Sequence, residues 1–241
     1  MRGIIHSYES LAALDGAGLR YSVFLAGCPL RCVYCHNPDT WTAVGEEVEP
    51  ADLARKIARY KTYFGAEGGV TFSGGEPLLQ AEFINEAAES LREEGIGYAL
   101  DTSGAVRLSE SVKTAVLNAD MVILDLKFYD GESYKKYTGG DIQNTLNMLE
   151  YLEKINKRTW LRTVVVPEIN DSREILDKYL KHAAGKKCIE KYELLAFHTM
   201  GFYKYEKLGT ENPLRDVAPL DAAVKEDLQK YVDEKMNAAR K

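Results

Sequence analysis

The sequence has 241 residues, of which 45% are hydrophobic and 28% are charged, so it is long enough to bury a substantial core. Its formal net charge of -6 argues against nucleic acid as a partner, because binding a phosphate backbone requires clustered lysine and arginine. The sequence shows neither a signal-peptide pattern nor an apolar run of membrane-spanning length, which predicts a cytoplasmic protein with no membrane partner.

Short apolar runs alternate with longer amphipathic segments along the chain, which is typical of repeated strand–helix units. The predicted strands are residues 19–25, 69–72, 97–102, 121–127, 159–165 and 192–196. The predicted helices are residues 50–63, 80–94, 109–118, 142–157, 172–184 and 221–239. Runs such as MVILDL are apolar on both faces, as expected where helices cover both sides of a parallel sheet.

Six strand–helix units are too few for a complete eightfold barrel, which typically needs about 250 residues. The first residues, up to 18, and about twenty residues after Phe197 show no regular pattern. We therefore predict an α/β fold, a partial (β/α)6 TIM-like barrel of parallel strands that forms a single domain over residues 1–241. Residues 1–18 form an N-terminal segment with a DGAG loop, and residues 197–241 form a C-terminal loop and helix.

Polar residues follow the predicted strands, and the C-terminal ends of parallel barrel strands are where active sites form. The residues concerned are Gly74, Gly75 and Glu76 in SGGEP, Asp101 and Thr102 in LDTSG, Asp125 and Lys127 in LDLK, Arg162 in WLRTVVVP, and His198 in LLAFHTM. Each one alone has an ordinary explanation, such as a turn cap or a structural ion pair. Together they favour a functional site, because charged groups in such apolar runs are costly to bury without partners.

Three of the four cysteines, Cys28, Cys32 and Cys35, lie within eight residues and are followed by His36. Three kinds of site compete for this loop. CVYCH matches a haem-attachment pattern, but that leaves Cys28 unexplained. A Cys3His zinc site usually combines one close pair of ligands with a second, distant pair. A [4Fe–4S] cluster held by three thiolates leaves one iron open for a small molecule. Cys188 is interpreted as a buried free thiol.

The CxxxCxxC loop after the first predicted strand, with Tyr34 before its last cysteine, resembles that of the radical S-adenosylmethionine enzymes. The order of DGAGLR, GCPLRCVYCHNPDTW, SGGEPLLQ, LDTSG, ILDLK, LRTVVVP and LLAFH is similar to that of glycyl-radical-enzyme activating enzymes, over essentially the whole chain. This resemblance implies one [4Fe–4S] cluster and S-adenosylmethionine. It also implies a 5'-deoxyadenosyl radical that removes hydrogen from a glycine of a partner glycyl-radical enzyme, with reduced flavodoxin or ferredoxin as the electron donor.

The resemblance also implies which residues hold the cofactors. The cluster ligands are Cys28, Cys32 and Cys35. The methionine ammonium is received by the backbone around Gly74, Gly75 and Glu76. A monovalent cation, Na⁺ or K⁺, beside the methionine carboxylate has as its ligands Asp101, Thr102 and Asp125.

Other residues match positions that contact S-adenosylmethionine or the partner. Those near the carboxylate or ribose are Lys127, Arg162 and His198, and those near the adenine are Tyr34 and His36. Asp15 matches the residue that binds the partner's glycine loop, and is grouped with Lys127, Arg162 and His198 as catalytic.

Two alternative functions stay open at this point. One is a radical S-adenosylmethionine enzyme that acts on a small molecule, and the other is a zinc-stabilised binding module. Ala17 in DGAG stands where the resembling family usually has a proline, so the identity of the glycyl-radical partner is open as well.

Overall fold

The computed structural model describes residues 1–240. In this part of the chain the strands are β1 (Gly3–Ala12), β2 (Arg20–Leu25), β3 (Glu46–Val48), β4 (Gly69–Gly74), β5 (Tyr98–Thr102), β6 (Met121–Asp125), β7 (Thr159–Val165) and β8 (Ile189–Ala196). The helices are α1 (Pro50–Ala58), α2 (Ala81–Glu93), α3 (Glu110–Asn118), α4 (Gly131–Thr138), α5 (Ile142–Lys154), α6 (Arg173–Ala183), α7 (Phe202–Leu208) and α8 (Ala222–Ala239). None of the helices in residues 1–240 is both long and apolar enough to cross a membrane.

The strands form one sheet in the order β3-β1-β2-β4-β5-β6-β7-β8. β1 pairs antiparallel with β2 and β3, whereas the pairs β2–β4, β4–β5 and β7–β8 are parallel. The six predicted strands correspond to β2 and β4 through β8. Within residues 1–240 the sheet ends at β3 and β8 and is not closed, which confirms the prediction of an α/β partial barrel.

The prediction was wrong where the local pattern is weak. Residues 1–18 contain β1, in which Glu9, Ser10 and Leu11 are exposed and which is held by pairing with β2 and β3. Helices α4 and α7 were missed because each buries only one or two side chains, which leaves no apolar period to detect. The helix predicted over residues 50–63 ends at Ala58 and is followed by the 3-10 turn Lys61–Tyr63.

The described chain packs as two compact units. Unit 1 comprises Met1–Pro29 and Thr40–Ile123, and unit 2 comprises Leu30–Asp39 and the described chain from Leu124 onward. In unit 1, α2 buries one apolar face, with residues spaced three and four apart: Phe83, Ile84, Ala87, Ala88 and Leu91. Burying each large side chain of this kind contributes roughly 1.5–3 kcal/mol.

Unit 2 has its own core beside β7 and β8. The buried face of α6 consists of Leu176, Tyr179, Leu180 and Ala183. Ser172 begins this helix by accepting a hydrogen bond from the amide of Ile175, which satisfies one of the otherwise unpaired amides of the first turn. Tyr179 lies on this face and is fully buried.

Candidate functional site

In unit 1, the SGGEP loop lies against the backbone at the start of the cysteine loop. The amide of Gly75 donates to the Leu25 carbonyl (2.9 Å), and the amide of Glu76 donates to the Gly27 carbonyl (2.8 Å). A Cβ atom on Gly75 would lie 2.2 Å from the Gly27 oxygen, and Gly74 has a φ of 120°, which favours glycine. Both glycines are therefore required for this close approach of two backbones.

The carboxylate of Glu76 is fully buried and accepts four hydrogen bonds. One oxygen accepts from the Thr102 hydroxyl (2.5 Å) and the Leu78 amide (3.2 Å), and the other from the Ser103 amide (3.0 Å) and hydroxyl (2.5 Å). Burial raises the pKa of Glu76, while the hydrogen bonds from Ser103 and Thr102 oppose that rise. Glu76 thus fixes the end of β5 relative to the SGGEP loop.

Asp101 and Thr102, predicted as cation ligands, end β5 in the same unit. The Ser73 hydroxyl donates to Asp101 Oδ2 (2.8 Å). The Thr102 hydroxyl also accepts from the amide of Gly104 (2.9 Å), so this hydroxyl already takes part in two hydrogen bonds. The side chain of Asp101 is half-buried, whereas that of Thr102 is buried.

Asp15 and the DGAG loop are held by β2 and β4. The Ser22 hydroxyl donates to Asp15 Oδ2 (2.5 Å), and the Thr71 hydroxyl donates to the Asp15 carbonyl (2.7 Å). Arg20, which is 1% exposed, donates to the hydroxyl of Thr71 (3.0 Å) and to the carbonyl of Ala17 (3.3 Å). Sequence reasoning missed this buried arginine, since Arg20 lies at the edge of the predicted first strand.

In unit 2, the later part of the cysteine loop is anchored to the end of α4. The amides of Arg31 and Val33 donate to the carbonyls of Thr138 (2.7 Å) and Tyr137 (2.9 Å). The amide of Cys35 donates to the carbonyl of Cys32 (3.0 Å), which closes a turn between these two cysteines. A helix that the sequence did not predict therefore supports this loop.

The cysteines Cys28, Cys32 and Cys35 carry free thiols, and Cys32 is buried while the other two are half-buried. Among residues 1–240, no set of three or more histidine, cysteine, aspartate or glutamate side chains is gathered closely enough to hold a metal ion. The arrangement of side chains alone therefore assigns no ligands, and the spacing of the cysteines in the sequence remains the observation that points to a cluster.

Asp125 and Lys127 form an ion pair in unit 2, with the ammonium donating to Asp125 Oδ2 (2.6 Å). Both side chains are at least three-quarters buried, as expected for residues two apart on one face of an extended segment. Burial disfavours the charged form of Lys127, but the Asp125 carboxylate and the Cys32 sulfur hold its pKa well above its ordinary value. Lys127 is therefore a fixed positive charge beside the cysteine loop.

His36 and His198 stack on each other in unit 2, with ring centroids 3.7 Å apart and an angle of 18° between the rings. His36 Nε2 lies 3.0 Å from the His198 carbonyl oxygen, so it carries the proton in this contact. Burial, together with the neighbouring His198, lowers the pKa of His36 to about 4, and burial lowers the pKa of His198. His198 Nδ1 is buried and has no hydrogen-bond partner among residues 1–240.

Arg162, also predicted as a site residue, is 7% exposed and donates to Glu193 Oε2 (2.9 Å). Glu193 lies directly opposite Arg162 in the parallel register of β7 and β8. Burial raises the pKa of Glu193, but Lys191 and Arg162 outweigh it and hold that pKa below its usual range. Sequence reasoning missed Glu193. The signal that could have found it is an acidic residue near the start of the next predicted strand, where it can pair with a buried arginine on the neighbouring strand.

Two comparisons of sequence relate the chain to known proteins. The sequence profile described as "Radical SAM superfamily" matches residues 22–179. The pyruvate formate-lyase-activating enzyme of Clostridium pasteurianum is 42% identical over 234 residues, which cover 96% of this chain and 98% of that protein. The enzyme of the same name from Staphylococcus aureus (strain USA300) is 38% identical over 234 residues, covering 93% of each chain.

Solved structures show the same fold at low sequence identity. A domain of pyruvate-formate lyase-activating enzyme from Bacteroides vulgatus matches with a TM-score of 0.57 and 21% identity, covering 70% of this chain and 94% of that one. Streptococcus suis SuiB bound to S-adenosylmethionine matches with a TM-score of 0.66 and 17% identity, covering 88% of this chain and 45% of SuiB. At these identities the likeness concerns the fold alone.

Proposed function

Because the chain belongs to the radical SAM superfamily and, within it, to the family of pyruvate formate-lyase-activating enzymes, we propose that it activates pyruvate formate-lyase. The observation that carries this proposal is the 42% identity to an activating enzyme over 98% of that enzyme's length. A match of this extent includes both the cysteine loop and the C-terminal region, and not the shared barrel alone.

The residues of the cysteine loop suit a [4Fe–4S] cluster, which is ligated by soft thiolates. We assign Cys28, Cys32 and Cys35 as the three ligands, which leaves one iron for S-adenosylmethionine. Lys127 lies close enough to the Cys32 sulfur for the two groups to interact electrostatically. The free thiols and their spacing support this assignment.

The polar groups described above suit S-adenosylmethionine, which carries an ammonium, a carboxylate and a sulfonium. The unpartnered, buried Nδ1 of His198 is available to hydrogen-bond this ligand, since a buried polar atom is costly without a partner. Lys127 and Arg162 supply positive charge for the carboxylate or the ribose. The backbone around Gly74, Gly75 and Glu76 receives the ammonium.

The aromatic and acidic residues complete the assignment. Tyr34 and His36 lie beside the adenine, and His36 is uncharged at neutral pH because its pKa is about 4. A monovalent cation, Na⁺ or K⁺, is held beside the methionine carboxylate by Asp101, Thr102 and Asp125. Carboxylate and carbonyl oxygens are the ligands that hard cations prefer.

When bound, the cluster and S-adenosylmethionine would supply one-electron radical chemistry, with methionine and 5'-deoxyadenosine as products and one hydrogen atom removed from a glycine Cα of the partner. The protein binds and orients the reacting groups. Asp15 receives the glycine loop of the partner, and the ion pair of Asp125 and Lys127 holds the ligand's charges in place. Reduced flavodoxin or ferredoxin supplies the electron, in the cytoplasm.

The first test is the cleavage of S-adenosylmethionine by protein reconstituted with iron and sulfide without oxygen. We expect Cys32→Ala to lose both the visible absorption of the cluster and the release of methionine. Cys188→Ala, which removes the fourth and buried thiol, should keep both. Normal cleavage by Cys32→Ala, or a single bound zinc without sulfide in the unmodified protein, would contradict the proposal.

Ala17 favours one second candidate, the activator of a different glycyl-radical enzyme. It stands in DGAG where the family usually has a proline, and its carbonyl accepts a hydrogen bond from the buried Arg20. S-adenosylmethionine cleavage together with failure to produce a radical on pyruvate formate-lyase would support this candidate.

A further inference from the structure

The segment that carries the Asp125–Lys127 pair continues beyond β6, which ends at Asp125. The amide of Leu126 donates to the Arg162 carbonyl (2.8 Å), and the Leu126 carbonyl accepts from the Thr163 hydroxyl (2.9 Å). A buried backbone group that has left the sheet needs such a partner. A backbone carbonyl of β7 and one side-chain hydroxyl therefore hold this segment just beyond the end of β6.

The carbonyl of Lys127 is held by two tyrosines. The Tyr179 hydroxyl donates to it at 3.2 Å, and the Tyr34 hydroxyl donates to it at 3.4 Å. A carbonyl oxygen has two lone pairs, so it can accept both bonds. Tyr34 belongs to the cysteine loop, whereas Tyr179 lies on α6, so the two hydroxyls reach this oxygen from different elements.

Asn170 determines the direction of the bond from Tyr179. Asn170 Nδ2 donates to the Tyr179 hydroxyl oxygen (3.0 Å) and to the Val164 carbonyl (2.9 Å), and Oδ1 accepts from the Val166 amide (2.7 Å). Because the phenol oxygen accepts from Asn170, its own proton is left for the Lys127 carbonyl. Asn170 and Tyr179 are both fully buried, and burial raises the pKa of Tyr179, which keeps that proton in place.

We propose that Tyr179, oriented by Asn170, is a positioning residue that fixes the Lys127 carbonyl and thereby the direction in which the Asp125–Lys127 pair is presented to S-adenosylmethionine. The proposal rests on the proposed function for its ligand. Its structural part is independent of that function, because the hydrogen bonds belong to the protein alone. Without the Tyr179 hydroxyl, the Lys127 carbonyl keeps only the longer bond from Tyr34, so the Lys127–Phe128 peptide gains freedom to rotate.

The structural part is tested by NMR on the full, cluster-free chain. Lys127–Phe128 is the only Lys–Phe pair in the sequence, so labelling lysine with ¹³C at the carbonyl and phenylalanine with ¹⁵N gives a single HNCO peak. We expect Tyr179→Phe to move the carbonyl shift of this peak upfield, as a lost hydrogen bond requires. Tyr98→Phe is the matched control, because it removes a buried phenol that donates to the Ala115 carbonyl (2.6 Å).

A second variant keeps the test informative if Tyr179→Phe does not fold. Asn170→Asp replaces the donor to Tyr179 by an acceptor, which draws the phenol proton away from Lys127 and should move the same peak in the same direction. An unmoved peak in the folded variants, or an equal movement in Tyr98→Phe, would overturn the proposal.

The functional part is tested on the reconstituted enzyme by equilibrium binding of S-adenosylmethionine. We expect Tyr179→Phe to keep the absorption of the cluster and to weaken binding about 3- to 10-fold, as for the loss of one hydrogen bond of about 1 kcal/mol. A shifted HNCO peak with unchanged affinity would overturn the positioning role. If the unmodified holoenzyme binds no S-adenosylmethionine, the proposed function fails, and this result is distinguishable because the NMR outcome does not depend on it.

Discussion

Glu76→Gln removes the negative charge from a fully buried carboxylate that accepts four hydrogen bonds and leaves the side-chain shape almost unchanged. All four contacts to this carboxylate come from donors: the Thr102 hydroxyl, the Leu78 amide, and the hydroxyl and amide of Ser103. The glutamine NH₂ replaces one acceptor oxygen by a donor. The two hydroxyls can rotate to accept from it, but a backbone amide cannot, so either Leu78 or Ser103 is left with an unpaired N–H.

The size of the effect follows from these contacts. The remaining bonds become neutral, and a hydrogen bond to a charged group contributes about 1.5–3 kcal/mol against about 1 kcal/mol for a neutral one. An unpaired buried amide costs about 1–3 kcal/mol in addition. Glutamine itself is cheaper to bury than a carboxylate, so we expect a net loss of about 2–4 kcal/mol in the free energy of unfolding.

Urea unfolding of the cluster-free protein, followed by circular dichroism, measures this loss. Glu89→Gln is the control, because Glu89 is exposed on α2 and its replacement should stay within about 0.5 kcal/mol of the unmodified protein. A loss for Glu76→Gln no larger than that of the control would refute the view that Glu76 connects β5 to the SGGEP loop.

Three further outcomes are expected. Gly75→Ala places a Cβ atom 2.2 Å from the Gly27 oxygen and should lower the free energy of unfolding, measured in urea, by about 1–3 kcal/mol. Gly131→Ala, whose new Cβ has its nearest contact at 3.9 Å, should leave that free energy unchanged. His36 should titrate with a pKa of about 4 when followed by NMR. Its contribution to the free energy of unfolding is therefore complete above pH 6.5 and is lost as the pH falls toward 4. An NMR titration midpoint near pH 6.5 would contradict the buried stack with His198. Burial raises the pKa of Cys188 to about 12, so mass spectrometry should find it unmodified after native iodoacetamide treatment at pH 8, and rapid alkylation would disprove this.

The sequence predicted the features that depend on local spacing. The alternation of strands and helices located the six parallel strands, and the two-residue spacing of Asp125 and Lys127 placed them on one face, where they form an ion pair. Two glycines followed by an acid marked the SGGEP loop as unusual. The cluster ligands and the other roles in binding the cofactor stay predictions.

The features that sequence reasoning missed depend on contacts between distant segments. Glu193 becomes the partner of Arg162 only through the register of β7 against β8. The two residues are 31 positions apart in the chain. β1 is stabilised by its neighbours in the sheet rather than by its own alternation. The role of Tyr179 could not be read from an apolar helix face, where a tyrosine is an ordinary core residue until its hydroxyl is seen to bond Lys127.

Electron paramagnetic resonance tests the central claim most directly. The reconstituted protein is incubated without oxygen with pyruvate formate-lyase, S-adenosylmethionine and a chemical reductant. We expect a glycyl radical whose doublet collapses when the target glycine carries deuterium at Cα, with one 5'-deoxyadenosine formed per radical. A reaction that cleaves S-adenosylmethionine but leaves pyruvate formate-lyase without a radical would contradict the assigned partner, and the absence of cleavage as well would contradict the radical chemistry itself.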